Sequence, residues 1–266
     1  MTNHSPASPD PWLVPAGFPS LAPLVHGGFR AGDLIVLGGD AGSGTSSLAL
    51  SFALRASAMQ SPALVLSSES TSARTFERAL TAVSRVPLDV LRRGVLDDTS
   101  RTAVTAAAAH LREHAPLMLS LDGSGMAGVL RALEATPGTR LLVIDGLEAL
   151  LTDASSRDDA LAYAVLACKR LAVSRDVVVL LTAHLPLLDH GRQDLRPRIT
   201  DFGVRGAVAT HADLVLGLFR EEIYQRDSAL RGAAELHLLK HRTGDLAYVD
   251  LYFEAPCLRF EDVVEA

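Results

Sequence analysis

Short, unbroken apolar runs alternate along this chain with longer stretches whose apolar residues recur every three or four positions. The runs are "DLIVLGG" (33–39), "ALVLSS" (63–68), "LMLSLD" (117–122), "RLLVID" (140–145) and "VVVLLTA" (177–183). Continuous apolar runs of this length predict strands buried on both faces. Between them, helices are predicted near 45–58, 71–84, 101–114, 125–135 and 157–174. The last carries Leu161, Val165, Cys168 and Leu171 at helical spacing, which gives it an apolar face. Strands alternating with helices predict an α/β fold with a mostly parallel sheet flanked by helices.

From about residue 212 the pattern changes. "ADLVLGLFR", "AELHLLKHR", "LAYVDLYFE" and "CLRF" read as successive strands, with "TGD" (243–245) as a hairpin turn. A parallel core followed by antiparallel C-terminal strands predicts one domain, 14–266. The Pro-, Ser- and Asp-containing start, 1–13, predicts a disordered tail.

Composition narrows the function classes. The 266 residues suffice for a sizeable core, and 48% hydrophobic with 21% charged residues is ordinary for a soluble globular chain. A formal net charge of -6 excludes a bulk basic field for nucleic acid or membrane, but leaves room for a local basic groove. Cys168 and Cys257 stand far apart, outside metal-ligand spacing, and fit a reducing, cytoplasmic setting. No apolar run reaches the length of a membrane span, and the start lacks the regions of a signal peptide.

The candidate chemistry begins at "GGDAGSGTSS" (38–47), directly behind the first strand. Gly39, Asp40, Ala41, Gly42, Ser43, Gly44, Thr45 and Ser46 follow the outline G-x-x-x-x-G-K-[ST] of a phosphate-binding loop, with threonine where that pattern has lysine. A strand that delivers such a loop into a helix turns backbone N–H groups and the helix N-terminus toward an anion. Ser46 is where a hydroxyl would reach a phosphate-bound metal. A plain glycine-rich turn is the competing reading of the loop alone. Asp145 closes a buried strand where a Mg²⁺ carboxylate belongs, or serves as a helix cap. Glu69 stands just past the second strand, placed either to polarise water or simply to face solvent. His184 follows the fifth strand, where a γ-phosphate sensor would sit. Lys240 and Arg242 flank the late hairpin, as a basic pair for a neighbouring subunit or as a solvated edge.

The order of these elements is that of a RecA-type motor, and the chain resembles the C-terminal motor domain of bacterial replicative DNA helicases (DnaB type). The resemblance rests on "VPAGFPSLAPLVHGGFRAGDLIVLGG" (14–39), "LVLSSES", "SRVPLDVLRRGVLDD" (84–98), "RLLVIDGLEALL", "ITDFGVRGAVATHADLVLGLFREEIY" (199–224) and "LLKHRTG", and spans about 14–260. It implies a RecA-like P-loop NTPase core that binds ATP with Mg²⁺ between the subunits of a ring, with a hexamer as the expected form, and moves on single-stranded DNA. Carried over, Gly39 to Ser46 hold the phosphates, Ser46 and Asp145 serve Mg²⁺, and Glu69 is the general base. His184 replaces the family's glutamine. Lys240 and Arg242 act in trans. Arg192, Arg196, Arg198 and Arg205 fall in the segments that face the family's central DNA channel, although "G-V-R-G" stands here for "R-E-S-G".

Two departures separate the chain from that family pattern. Thr45 removes the phosphate-contacting lysine, and no lysine precedes residue 169 to replace it; Arg74 and Arg220 are arginines that could enter. The short polar start leaves no room for the family's N-terminal collar and linker helix, which weakens the expectation of a stable ring. A catalytically silent nucleotide-binding scaffold and a RecA-like recombination mediator therefore stand beside the working helicase as readings of the sequence.

Overall fold

A computed structural model of the chain describes residues 12–151, 157–225 and 230–263. Most of the predicted 1–13 tail lies outside the described residues, while Leu13 already belongs to a strand. In chain order the elements are β1 (Leu13–Pro15), β2 (Gly28–Arg30), β3 (Leu34–Gly39), α1 (Thr45–Ala58), β4 (Ala63–Ser67), α2 (Ser72–Ser84), α3 (Leu88–Arg93), α4 (Asp98–His114) and β5 (Leu117–Ser120). They continue with α5 (Met126–Glu134), β6 (Leu141–Asp145), α6 (Arg157–Arg175), β7 (Val178–Ala183), α7 (Ala207–His211), β8 (Leu214–Phe219), β9 (Ala233–His241), β10 (Tyr248–Glu254) and β11 (Arg259–Asp262).

Among the described residues the main sheet has nine strands in the order β11-β10-β9-β8-β3-β7-β6-β4-β5, and β1 and β2 form a separate hairpin. β3 is central and parallel to both neighbours, with Gly38 opposite Ala183 of β7 and Gly39 opposite Leu218 of β8. β8 falls after the change of pattern near residue 212, yet it completes the parallel part. The antiparallel part begins at β9, which pairs with β8 around a bulge at Val215 and Leu216.

Alternation along β3 divides the interior. Ile35 and Leu37 enter one core with Phe18, Phe29 and Phe52, whereas Leu34 and Val36 enter a second core with Leu161, Val165 and Cys168 of α6. Burying each large aliphatic side chain contributes roughly 1.5–3 kcal/mol, so a strand apolar on both sides has no stable place except between helical layers. Helix starts are locally encoded: the Thr71 hydroxyl accepts from the Arg74 amide (3.2 Å) at α2, and the Asp97 carboxylate accepts from the Ser100 amide (2.7 Å) at α4. No described helix is long and apolar enough to cross a membrane.

Candidate nucleotide site

The parallel strands all end at one edge of the sheet, where α/β folds bind ligands. The glycine-rich loop leaves β3 there, and α1 begins at Thr45 behind Gly44, whose φ of 98° is left-handed, as is the 81° of Gly42. The loop folds back on its strand so tightly that a Cβ on Gly39 would lie 2.3 Å from Ser43 Oγ and 2.9 Å from Thr45 Cγ2. The loop therefore joins a strand to a helix, with the first amides of α1 lacking intrahelical acceptors. The Thr45 methyl packs beneath it and brings no charge. An open pocket of about 470 Å³ lies over the loop, lined in part by Thr45, Ser46, Arg78, His184 and Arg220.

Neighbouring residues brace the cradle from outside. Arg220, 6% exposed, donates through Nη1 to the carbonyls of Gly42 (3.1 Å) and Ser43 (3.2 Å), pairs through Nη2 with Glu222, and lies 4.3 Å over the Phe253 ring. Asp40 is held by His190 Nε2 at 2.7 Å, by the Ala41 amide at 2.8 Å and by Tyr224. Partial burial would raise the Asp40 carboxyl; hydrogen bonds from His190, Ala41 and Tyr224 outweigh it and leave the group below its ordinary value. The negative charge at the loop entrance is therefore tied down.

The other expected site residues divide into three groups. Asp145 at the end of β6, Glu69 after β4 and His184 after β7 lie along the same edge as the loop. The Thr182 hydroxyl bridges this edge, donating to Asp145 Oδ1 (3.0 Å) and accepting from the Gly146 amide (2.7 Å). Glu69 is exposed. A hydroxyl at Ser46 and a carboxylate at Asp145 are hard oxygen donors, few in number, which suits Mg²⁺ held jointly with phosphates. Among the described residues no cluster of three or more His, Cys, Asp or Glu exists that could hold a metal by itself.

Lys240 and Arg242 belong to the opposite edge, because β9 runs antiparallel to β8 and brings His241 beside Leu214. There they are engaged within their own chain. Lys240 Nζ donates to the carbonyls of Ala209 (2.7 Å) and Ala212 (2.5 Å), and Arg242 pairs with Asp213 at 3.2 Å. Burial and the neighbouring Arg242 charge push the Lys240 ammonium below its ordinary value. Asp213 also accepts from Lys169 Nζ (2.6 Å) and the Leu34 amide (2.8 Å). The pair thus lies away from its own chain's glycine-rich loop.

The four arginines of the expected DNA-facing segments are not one free basic patch. Arg192 forms two bonds to buried Asp201, at 2.9 and 2.8 Å, and Arg196 forms two to Glu235, at 2.7 and 2.6 Å. Arg205 pairs with Asp159 at 2.5 Å from a left-handed backbone, φ 49°, and Arg198 is exposed. The segment carrying Arg198 leads into Phe202, which sits directly on the sheet: a Cβ on Gly38 would come within 2.3 Å of the Phe202 ring.

Sequence reasoning missed Arg78 altogether. Of the two arginines it named as substitutes for the missing lysine, Arg220 does line the pocket, whereas Arg74 is exposed on α2. Arg78 sits on a helix not predicted to touch the loop, and a lone arginine there gave no signal.

Comparison with known proteins agrees with this architecture. The chain is 30% identical over 259 residues to the replicative DNA helicase DnaB of Leifsonia xyli, covering 94% of this chain and 56% of that protein. It is 26% identical over 261 residues to that of Pasteurella multocida, covering 95% and 56%. It spans about half the length of these curated relatives. In three dimensions it superposes on a DnaB-like replicative helicase, solved for its interactions with primase, with a TM-score of 0.88 at 21% identity, covering 94% of this chain and 62% of that one. A KaiC-like protein of Pyrococcus horikoshii has the same fold at a TM-score of 0.64 and 15% identity, covering 95% and 99%. The family described as DnaB-like helicase C terminal domain matches residues 14–262, nearly the whole chain, and the protein belongs to it.

Proposed function

We propose that the protein is an ATP-dependent DNA motor that hydrolyses ATP at subunit interfaces of a ring and translocates on single-stranded DNA in the cytoplasm. The observation that carries this reading is the cradle: a left-handed glycine loop between a central parallel strand and α1, on the edge that also holds Ser46, Asp145, Glu69 and His184. Loop amides and the α1 N-terminus would bind the phosphates. Ser46 and Asp145 would hold Mg²⁺, which when bound would screen phosphate charge. Glu69 would orient the attacking water, and His184 would register the terminal phosphate. Lys240 and Arg242 lie away from their own chain's loop, which supports a role toward a neighbour's nucleotide, reached by exchanging their present partners.

Thr45 favours a second reading, a nucleotide-binding relative that does not turn over. A charge-assisted hydrogen bond contributes about 1.5–3 kcal/mol, and more where charge develops in a transition state. The test is ATP turnover with and without single-stranded DNA for the wild type, Thr45→Lys and Glu69→Gln. Wild-type turnover that Glu69→Gln abolishes supports the motor. Turnover only after Thr45→Lys supports the silent relative. Absence of nucleotide binding in both wild type and Thr45→Lys sinks both.

A further inference from the structure

We propose that Arg78 of α2 is the cation that contacts the nucleotide's terminal phosphates in place of the missing loop lysine. The inference rests on the loop being a nucleotide site and names the residue that completes it. Arg78 lines the same pocket as Thr45 and Ser46, and its Nη2 donates to Ser47 Oγ in the first turn of α1 at 3.1 Å. Ser47 is 5% exposed and fixed on a rigid helix, so this bond anchors the guanidinium one residue from the metal-site hydroxyl.

The balance of charge selects Arg78 over the other arginine in the pocket. Arg220 is paired with Glu222 and spends its Nη1 on two loop carbonyls, and its unpartnered Nε is fully buried, so it braces the loop rather than presenting a fork to an anion. Arg78 has no carboxylate partner among the described residues. The adjacent acid on its own helix, Glu77, is taken by Arg92 through a two-pronged ion pair at 2.8–3.1 Å. Asp40, the acid at the loop entrance, is taken by His190. A guanidinium carries five N–H donors in a planar fork, and Ser47 accepts from one of its nitrogens. Arg78 lines a pocket whose described lining holds no carboxylate but Asp40, and a fork of this shape matches phosphate oxygens. A lysine reaching from position 45 and an arginine reaching from position 78 would deliver charge to the same part of the pocket from two sides. The lost lysine then removes one route to the phosphate and leaves another.

The experiment is a double-mutant cycle on nucleotide affinity, with wild type, Arg78→Gln, Thr45→Lys and Thr45→Lys/Arg78→Gln titrated with ATP, ADP and adenosine in the presence of Mg²⁺. Arg78→Gln is expected to weaken ATP binding by about 10- to 100-fold, the range of a lost charge-assisted bond, with adenosine binding unchanged. Thr45→Lys is expected to restore most of that loss in the Arg78→Gln background and to add little to wild type, a non-additive outcome. Arg78→Lys should fall between the two. Circular dichroism and melting temperature identify a variant that fails to fold, and Arg78→Lys then carries the comparison. Wild-type ATP binding that is unaffected by both Arg78→Gln and Arg78→Lys overturns the role of Arg78 and leaves the nucleotide site intact. Equal losses for ATP and adenosine, or strictly additive effects with Thr45→Lys, also overturn it, since they mark a merely structural contact to Ser47. No binding by wild type or Thr45→Lys overturns the nucleotide reading itself.

Discussion

The two edges of the parallel sheet treat their charges in opposite ways. At the edge opposite the loop, Asp213 gathers Lys169, Arg242 and the Leu34 amide, and Lys240 closes on the carbonyls of Ala209 and Ala212. At the loop edge, the first amides of α1 and the exposed Glu69 are left uncommitted and Arg78 has no carboxylate partner among the described residues, while the bracing groups, Arg220 and Asp40, are in ion pairs. Buried charges are costly unless paired, so the closed edge has the character of a structural joint and the open edge that of a site prepared for a ligand.

The contrast breaks if substitutions at the two edges have similar effects. The largest stability loss is expected at the closed edge. Asp213→Ala leaves Lys169 without its partner and should destabilise the fold by about 3–5 kcal/mol, measured by urea denaturation, with little change in nucleotide affinity of the protein that remains folded. The open edge should show the reverse. Glu69→Gln should lower turnover by about 100-fold or more while shifting stability by less than about 0.5 kcal/mol; a large loss of stability would place Glu69 with the structural residues. Arg220→Met tests the boundary between the two kinds. It should cost about 1–3 kcal/mol, as the Gly42 and Ser43 carbonyls and Glu222 lose their donor, and hydrogen exchange should quicken at the amides of residues 42–46.

The smallest effect concerns pH and a third region, where β11 meets α1 and α2. Glu261 is bound by Arg55 at 2.8 Å, by Arg85 at 2.6 Å and by Arg259. Burial raises its carboxyl, but Arg259 and Arg55 together pull it below the ordinary value of 4.5. Its stabilisation is therefore present above that value and lost as pH falls through the lower folded value. Glu261→Gln should flatten the acid limb of stability below about pH 4.5 by about 1 kcal/mol, read from denaturation midpoints across that range. An unchanged acid limb would show that these arginines add nothing measurable there.

Much of the frame was legible because each buried strand is an uninterrupted apolar run with a polar stop. β3, β4, β6 and β7 lie within the predicted limits, and Leu161, Val165, Cys168 and Leu171 all face the core. The β1–β2 hairpin was not legible, since three-residue strands carry no periodicity. Nor was the short helix α3. Within the site, the loop, Glu69, Asp145 and His184 could be ordered along the chain because strand ends define the ligand edge. Partnerships across distant segments could not. Asp40 with His190, Arg196 with Glu235 and Ser47 with Arg78 depend on how layers meet, and single residues at those positions look like ordinary surface charge.

The contact of Phe202 with Gly38 has a mechanical consequence. Gly38 stands opposite Gly217 in the next strand, and side chains there would strike Phe202 on one and Leu239 and Pro197 on the other. The arginine-bearing segment therefore rests, through the Phe202 ring, on bare backbone one residue before the glycine-rich loop. Adding even a methyl group at Gly38 would push Phe202 outward and shift the segment that carries the arginines.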